Sequence, residues 1–223
     1  MNIALIPARC GSKSIKFKNI KDLCGKPLIY WNLIALEESS IIDEVYVATD
    51  CEEIKKVVES FNLSKVKIYL RTEESATDTA SSEFILLEFL KQSNFKEKDY
   101  IFLVQATAPL TYSYDFTNAF NQLKKEKKDS LLTCVREKIF IWEDGKAINY
   151  NYKNRPRRQD FDGLLVETGA FYINTVKNII ENKNRLSGNI SIYEMSSYQN
   201  IDIDEEDDWL IATKLMKKYK LQA

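Results

Sequence analysis

Short apolar runs alternate with helical patterns over the first two-thirds of the chain. Ile3 to Ala8, Glu44 to Thr49, Val66 to Leu70, Tyr100 to Gln105 and Ser130 to Val135 are strand-length windows rich in Ile, Val, Leu and aromatic residues. Between them, Ile54, Val57, Val58 and Phe61 share one helical face, as do Phe116, Ala119, Phe120 and Leu123. This alternation predicts an α/β fold: a mostly parallel sheet with helices on both faces. The pattern breaks after Val135. Phe140 to Trp142, a Glu-Asp-Gly-Lys turn at Glu143 to Lys146, and Ala147 to Tyr152 predict a hairpin, followed by a polar, Arg-rich stretch from Asn151 to Gly163. The segment at about 136–168 is therefore expected to leave the sheet. Strands resume at Gly169 to Ile173 and Ser191 to Glu194, and a helix is expected from about Asp207 to Tyr219.

With 223 residues, 44% of them hydrophobic, the chain has enough apolar material for one substantial core, and a single domain over 1–223 is expected. The apolar runs are too short to span a bilayer, and no signal-peptide pattern precedes the first strand, so a cytoplasmic protein without a membrane segment is expected. Cys10, Cys24, Cys51 and Cys134 lack paired spacing, which predicts thiols. The chain has no histidine, and this excludes Ser-His-Asp hydrolases, Cys-His proteases and imidazole proton shuttles. Chemistry must come from carboxylates, Lys, Arg, hydroxyls and a hard metal. The 32 basic and 33 acidic residues give a net charge of -1, so no nucleic-acid partner is expected.

Five segments carry candidate chemistry. The run from Ile6 to Asn19 leaves a strand and enters a loop with Arg9, Lys13, Lys16 and Lys18, where amides near Gly11 and Ser12 can cradle phosphate oxygens. A solvated basic loop is the alternative. Arg71 stands at a strand end, where ligands of open α/β sheets bind; the following polar run to Ser82 serves equally as a helix cap through Asp78, Thr79 or Ser81. Gln105 ends the fourth strand and faces the same crevice, although such a residue before Pro109 also suits an ordinary turn. Arg155, Arg157 and Arg158 lie close together around Pro156, suited to a carboxylate or phosphate, or to a solvated face; their place on an excursion puts a neighbouring subunit within reach. In Ile201-Asp-Ile-Asp204, an extended chain would put Asp202 and Asp204 on one side, about 7 Å apart. That arrangement suits Mg2+ holding substrate phosphates, and the same acids favour the dipole of the following helix.

In this order, the segments resemble the CMP-sialic acid synthetases, or acylneuraminate cytidylyltransferases, from Ile3 to about Leu215. The family's opening Ala-Arg-Gly-Gly-Ser-Lys-Gly...Lys-Asn is matched by Ala8-Arg9-Cys10-Gly11-Ser12-Lys13-Ser14...Lys18-Asn19, then Gly25-Lys26-Pro27-Leu28-Ile29. Arg157-Arg158-Gln159-Asp160, Gly169-Ala170-Phe171-Tyr172 and Asp202-Ile203-Asp204 also match. Cys10 and Ser14 stand where glycines are usual, Thr168 replaces a common Asn, and Thr111 an Arg frequent in bacterial members.

The resemblance implies a Rossmann-like domain, a homodimer with a protruding arm that swaps onto the partner, and Mg2+ as cofactor. It implies transfer of CMP from CTP to the anomeric C2 hydroxyl of a nine-carbon 2-keto sugar acid, with release of pyrophosphate. By matching position, Arg9, Ser12, Lys13 and Asn19 would hold the triphosphate, and Arg71 with Ser81 or Ser82 the cytidine. Gln105, Arg157, Gln159 and Tyr172 would line the sugar-acid site, and Asp202 and Asp204 the metal. Arg9, Lys13, Asp202 and Asp204 would carry the chemistry. Alternatives are a cytidylyltransferase for an eight-carbon 2-keto acid or a sugar alcohol phosphate, and a non-catalytic nucleotide-binding module.

Overall fold

The computed structural model describes residues 1–11, 14–75, 77 and 80–221. β1 (Asn2–Pro7) leads through a short hairpin, β2 (Asp22–Leu23) and β3 (Lys26–Pro27), into α1 (Tyr30–Glu38). β4 (Glu44–Thr49), α2 (Glu52–Glu59), β5 (Val66–Leu70), α3 (Ser82–Gln92), β6 (Tyr100–Val104), α4 (Ser113–Glu126) and β7 (Ser130–Glu137) continue the expected alternation. The excursion carries β8 (Trp142–Glu143) and β9 (Lys146–Ala147), and the chain returns through β10 (Leu164–Thr175), α5 (Val176–Asn182), β11 (Ile190–Met195) and α6 (Glu206–Tyr219).

Seven strands form one sheet in the order β11-β7-β10-β6-β1-β4-β5. The pairs β1/β4, β1/β6, β4/β5 and β11/β7 are parallel, whereas β10 runs antiparallel to both β6 and β7. β1 and its neighbours read as near-continuous apolar runs because helices cover both faces. On one face Ala4, Ile6, Val45, Val47, Phe102 and Val104 pack against α1, α2 and α4. On the other, Ile3, Leu5, Ile101, Leu103 and Tyr172 pack against α3 and α5.

The expected strands all form, with β7 and β10 longer than their apolar windows. Pairing with each other extends both, so the excursion narrows to 138–163. Its small hairpin is held by aromatic packing, with Phe140 against Tyr150 and Phe161 and the Arg155 guanidinium over the Phe140 ring. α1 gave no amphipathic signal because it is buried nearly all round: Trp31, Asn32, Leu33, Ala35 and Leu36 are all interior.

A third, smaller core forms beyond the carboxyl ends of the strands. Ile15 from the loop after β1, Leu23 and Leu28 from the hairpin, Ile201 and Ile203, and Trp209 and Met216 of α6 are buried together. Each fully buried aliphatic or aromatic side chain here contributes about 1.5–3 kcal/mol. This cluster brings the two ends of the chain to the same end of the sheet.

Lys220, one residue beyond α6, is half-buried and donates from Nζ to the carbonyls of Pro109 (2.7 Å), Thr111 (2.7 Å) and Trp31 (3.4 Å). Those acceptors favour the ammonium, but loss of hydration outweighs them and pushes its pKa down to about 7, against the attraction of Asp115 and Glu38. An unfolded lysine titrates near 10.4. Between the two values the unfolded chain binds a proton that the folded chain has lost, so this group's contribution to stability is present above the unfolded value and falls away as pH drops through 7. The urea midpoint of the wild type should therefore rise from pH 7 to pH 10 relative to that of Lys220→Met. Parallel profiles for the two proteins would exclude Lys220 as the source.

Candidate active site

The carboxyl ends of β1, β5 and β6 open onto a crevice, as expected for ligand sites in open α/β sheets. A cavity of about 250 Å³ there is lined by Arg9 after β1, Arg71 after β5, Ser81, Ser82 and Ile85 at the start of α3, and Gln105 after β6. Five of the residues singled out in the sequence thus converge, although they span 96 positions from Arg9 to Gln105. Backbone bonds set their places. Ala8 N–H donates to Ala48 (2.9 Å) and Arg71 N–H to Thr49 (3.1 Å), extending strand pairing to the site, while Gln105 N–H donates to Ala170 (3.0 Å).

Ser81 is the cap of α3, its Oγ accepting from Phe84 N–H at 3.1 Å. The helix N-terminus therefore faces the cavity with its positive end. Asp78 and Thr79, the other expected cap candidates, lie outside the described residues, as do Ser12 and Lys13 of the basic loop. Arg71 is half-buried. Its Nη2 donates to the Ser75 carbonyl, and its Nε is buried without a hydrogen-bond partner among the described residues. A guanidinium nitrogen so placed beside a polar cavity can donate to a ligand. Burial lowers the proton affinity of Arg71; Asp50 and Glu88 oppose that shift, and Arg9 adds to it. Asp50 was not anticipated from the sequence. It acts on Arg71 electrostatically, and its Oδ1 accepts from Cys10 N–H at 3.2 Å.

Asn19 is buried, and its Nδ2 lies 3.4 Å from the Arg9 carbonyl, so in this structure it holds the loop. Lys18 gives the loop its firmest anchor: Nζ donates to the Ile203 carbonyl at 2.7 Å and to Asp204 Oδ1 at 2.9 Å. Ser14 Oγ also donates to the Asp204 carbonyl. Ile201 and Ile203 point inward and Asp202 and Asp204 outward, as the alternation predicts, although the segment pairs with no strand. Ile203 N–H donates to Thr107 (3.0 Å), tying this acidic strap to the loop after β6. Asp202 keeps an exposed surface, yet its carboxyl lies in a crowded crevice. Lost hydration raises its pKa, a Thr107 hydrogen bond lowers it, and the charge of Asp204 raises it further. Lys18, which pairs with Asp204, lowers it in turn; the two outward carboxylates are still an oxygen donor set of the kind a hard divalent cation takes. Asp208 Oδ2 accepts from the N–H groups of Asp204 and Glu205, so the same strap also starts α6.

The structure separates the remaining candidates. Tyr172 is buried under α3 and α5; its hydroxyl donates to Glu167, and the Arg185 guanidinium stacks 4.8 Å from its ring centroid. Burial, then Glu167, pushes its pKa up to about 12. Arg185 in turn pairs with Glu83 on α3 at 2.5 Å. Arg157 and Gln159 lie exposed on the excursion, where Arg157 pairs with Asp160 (2.5 Å) and the Gln159 carbonyl accepts from Lys138 (3.3 Å). Neither lines the cavity.

Cys10 and Cys51 correct the expectation of four thiols: they form a disulfide with Cα atoms 5.0 Å apart, and only Cys24 and Cys134 are free. Their sequence separation hid the pair, because adjacent parallel strands β1 and β4 deliver them side by side. Asn32 was missed for a similar reason. It is fully buried in α1, and its Nδ2 donates to the carbonyls of Gln105 (3.3 Å) and Ala106 (3.2 Å), fixing the strand end. A larger groove of about 590 Å³, between α3 and α5 near Phe84, Leu87 and Ile180, is mainly apolar and holds none of this polar constellation.

No described helix is long and apolar enough to cross a membrane. The profile of the cytidylyltransferase family matches residues 3–223. Among curated relatives, the chain is 37% identical to N-acylneuraminate cytidylyltransferase A of Danio rerio over 97% of its own length, and 30% identical to the N-acylneuraminate cytidylyltransferase of Streptococcus agalactiae serotype V over 93%. It spans about half, 51%, of each of these relatives. It is also 31% identical to the CMP-N,N'-diacetyllegionaminic acid synthase of Legionella pneumophila, where 96% of each chain is covered. A solved structure of CMP:2-keto-3-deoxy-manno-octonic acid synthetase complexed with CTP superposes with a TM-score of 0.73 at 18% identity, covering 97% of this chain and 98% of that one. The Rossmann-like nucleotidyltransferase fold is thus shared well beyond sequence likeness. The arginine-lined crevice at the strand ends sits on that fold and within the segment the profile matches, and the chain belongs to the cytidylyltransferase family.

Proposed function

We propose that the chain transfers CMP from CTP to the anomeric C2 hydroxyl of a sialic-type nine-carbon 2-keto sugar acid, releasing pyrophosphate, and that it does so as one catalytic domain. The observation that carries this reading is the cavity in which Arg9, Arg71, Ser81, Ser82 and Gln105 converge at the N-terminus of α3. The relatives' names supply the acceptor class: N-acylneuraminate for two of them and diacetyllegionaminic acid for the third. Both are acids of this kind, which favours nine carbons over eight.

Nucleotidyl transfer depends on alignment and charge neutralisation more than on proton shuttling, in keeping with a chain that has no histidine. Arg9, with Ser12, Lys13 and Asn19 of the same loop, takes the triphosphate and neutralises charge as pyrophosphate leaves. Arg71 offers its free Nε, and Ser81 and Ser82 their hydroxyls, to the cytidine. Gln105 holds the sugar acid, joined by Arg157 and Gln159, whereas Tyr172, expected there from the resemblance, is buried outside the cavity with its hydroxyl on Glu167 and is not a direct contact. Asp202 and Asp204 would hold Mg2+, which supplies Lewis-acid neutralisation of the phosphate oxygens. The neighbouring Lys18 keeps this strap against the nucleotide loop.

Arg157 and Gln159 lie outside the cavity of their own chain, so we assign them to the partner's site in a homodimer. The excursion that carries them exposes Trp142, Ile148 and Tyr152, an apolar surface that a partner would cover.

Pyrophosphate release from CTP, measured against a panel of nine-carbon acids, an eight-carbon acid and a sugar alcohol phosphate, should be confined to the nine-carbon acids. CTP binding without turnover on any acceptor would sink the enzymatic reading. Asp204→Asn should lower Mg2+-dependent release by about a hundred-fold or more while leaving thermal unfolding unchanged; full activity would remove Asp204 from the metal. Arg71→Ala should raise the Kd for CTP by about ten-fold, and an unchanged titration would dismiss the cytidine contact. Sedimentation should give a dimer that Trp142→Arg converts to an inactive monomer; an active wild-type monomer would contradict the shared site.

A further inference from the structure

Cys10 directly follows Arg9 in the loop after β1, and Cys51 caps α2 after β4. Their Cα atoms are 5.0 Å apart, within the range a disulfide requires, and the structure joins them. The bridge does not staple two distant parts of the core. Parallel pairing of β1 and β4 already holds these strand ends together, as the Ala8 N–H bond to Ala48 shows (2.9 Å). What the bridge adds is a restraint on the loop itself. We infer that Cys10 and Cys51 form a reversible dithiol–disulfide site through which oxidation weakens CTP binding. The inference rests on reading this loop as the CTP triphosphate site.

Three observations support it. Cys10 is half-buried in the loop after β1, whereas Cys51 is 3% exposed, so an external oxidant reaches Cys10 first and Cys51 resolves the product. The site also accommodates the reduced state, because Glu53 Oε2 lies 3.2 Å from Cys51 Sγ and can accept the proton of its thiol. Finally, the bridged loop directs Cys10 N–H onto the Asp50 carboxylate at 3.2 Å. That amide is then lost to an anionic ligand, and a negative charge stands in the field of Arg71, which lines the same cavity as Arg9. Both effects oppose CTP.

The chemistry balances with a low-molecular-weight disulfide as oxidant. The Cys10 thiolate attacks one of its sulfurs, releasing one thiolate and leaving a mixed disulfide on Cys10. The Cys51 thiolate then attacks Cys10 Sγ and expels the second thiolate. The protein pair loses two protons and two electrons, and the reagent is reduced to two thiols. A thiol in excess reverses both steps.

The test uses the full chain equilibrated with defined ratios of reduced and oxidised glutathione, followed by alkylation, peptide mass mapping and calorimetric titration with CTP. A Cys10–Cys51 cross-linked peptide should appear on oxidation and disappear on reduction, and the oxidised protein should bind CTP about ten-fold more weakly. Cys10→Ser, which removes the sulfur the oxidant reaches first and leaves Cys51 buried, should bind CTP with the reduced wild type's affinity at every ratio. Absence of the cross-linked peptide, equal affinity in both redox states, or the same oxidant response in Cys10→Ser would each overturn the inference. Failure of the reduced protein to bind CTP would instead refute the reading of the loop, since the peptide map reports the cross-link without CTP.

Discussion

The burial of Ile203 beside Ile15 is the contact on which the site depends. Those two side chains lie 188 positions apart and share a small core with Leu23, Leu28, Trp209 and Met216. Once they are buried together, the basic loop after β1 and the acidic strap before α6 must run side by side. Lys18 then reaches the Ile203 carbonyl and the Asp204 carboxylate, and Ser14 the Asp204 carbonyl. An exposed ion pair alone would contribute little to holding two chain ends in register. Here the apolar cluster supplies the energy and the polar bonds set the geometry.

The second constraint is charge. Arg9 and Arg71 share one crevice with a helix N-terminus, which costs free energy until an anion arrives. Asp50 and Glu88 partly offset that cost at Arg71. At the strap, lost hydration and then the charge of Asp204 raise the pKa of Asp202, against Thr107 and Lys18. Arginines lining the cavity suit a polyanion, and the outward carboxylates of the strap suit a divalent cation. Arg71 has its Nε buried and without a hydrogen-bond partner among the described residues.

The four departures from the family's pattern each have a partner inside this chain. Cys10 bonds to Cys51, Ser14 donates to the strap, Thr111 Oγ1 donates to Ala108 (3.0 Å), and Thr168 Oγ1 bonds to Thr133 Oγ1 (2.9 Å). Cys10 takes no positive φ; in this loop Phe17 does, at 51°. Cys10 therefore adds a contact without forcing the left-handed backbone that glycine favours.

Elements with a clear period were legible in the sequence. The strands are, because a buried parallel sheet demands continuous apolar runs, and so are α2 and α4, which bury one face each. The alternation in Ile201 to Asp204 correctly placed two carboxylates outward, since alternation is a local property of an extended chain. Arg9, Arg71 and Gln105 were legible as strand-end residues for the same reason. Helix α1 was not, because burial on nearly all sides erases periodicity, and with it went the role of Asn32 in bonding Gln105 and Ala106. The pairing of Cys10 with Cys51, the bond from Cys10 N–H to Asp50, and the anchoring of Lys18 are contacts between segments that only strand order and the third core bring together. By itself, the sequence determined which residues end each strand and what chemistry they bear. Tertiary structure alone decided which of them meet, because that depends on the order of strands in the sheet and on distant apolar side chains sharing one core.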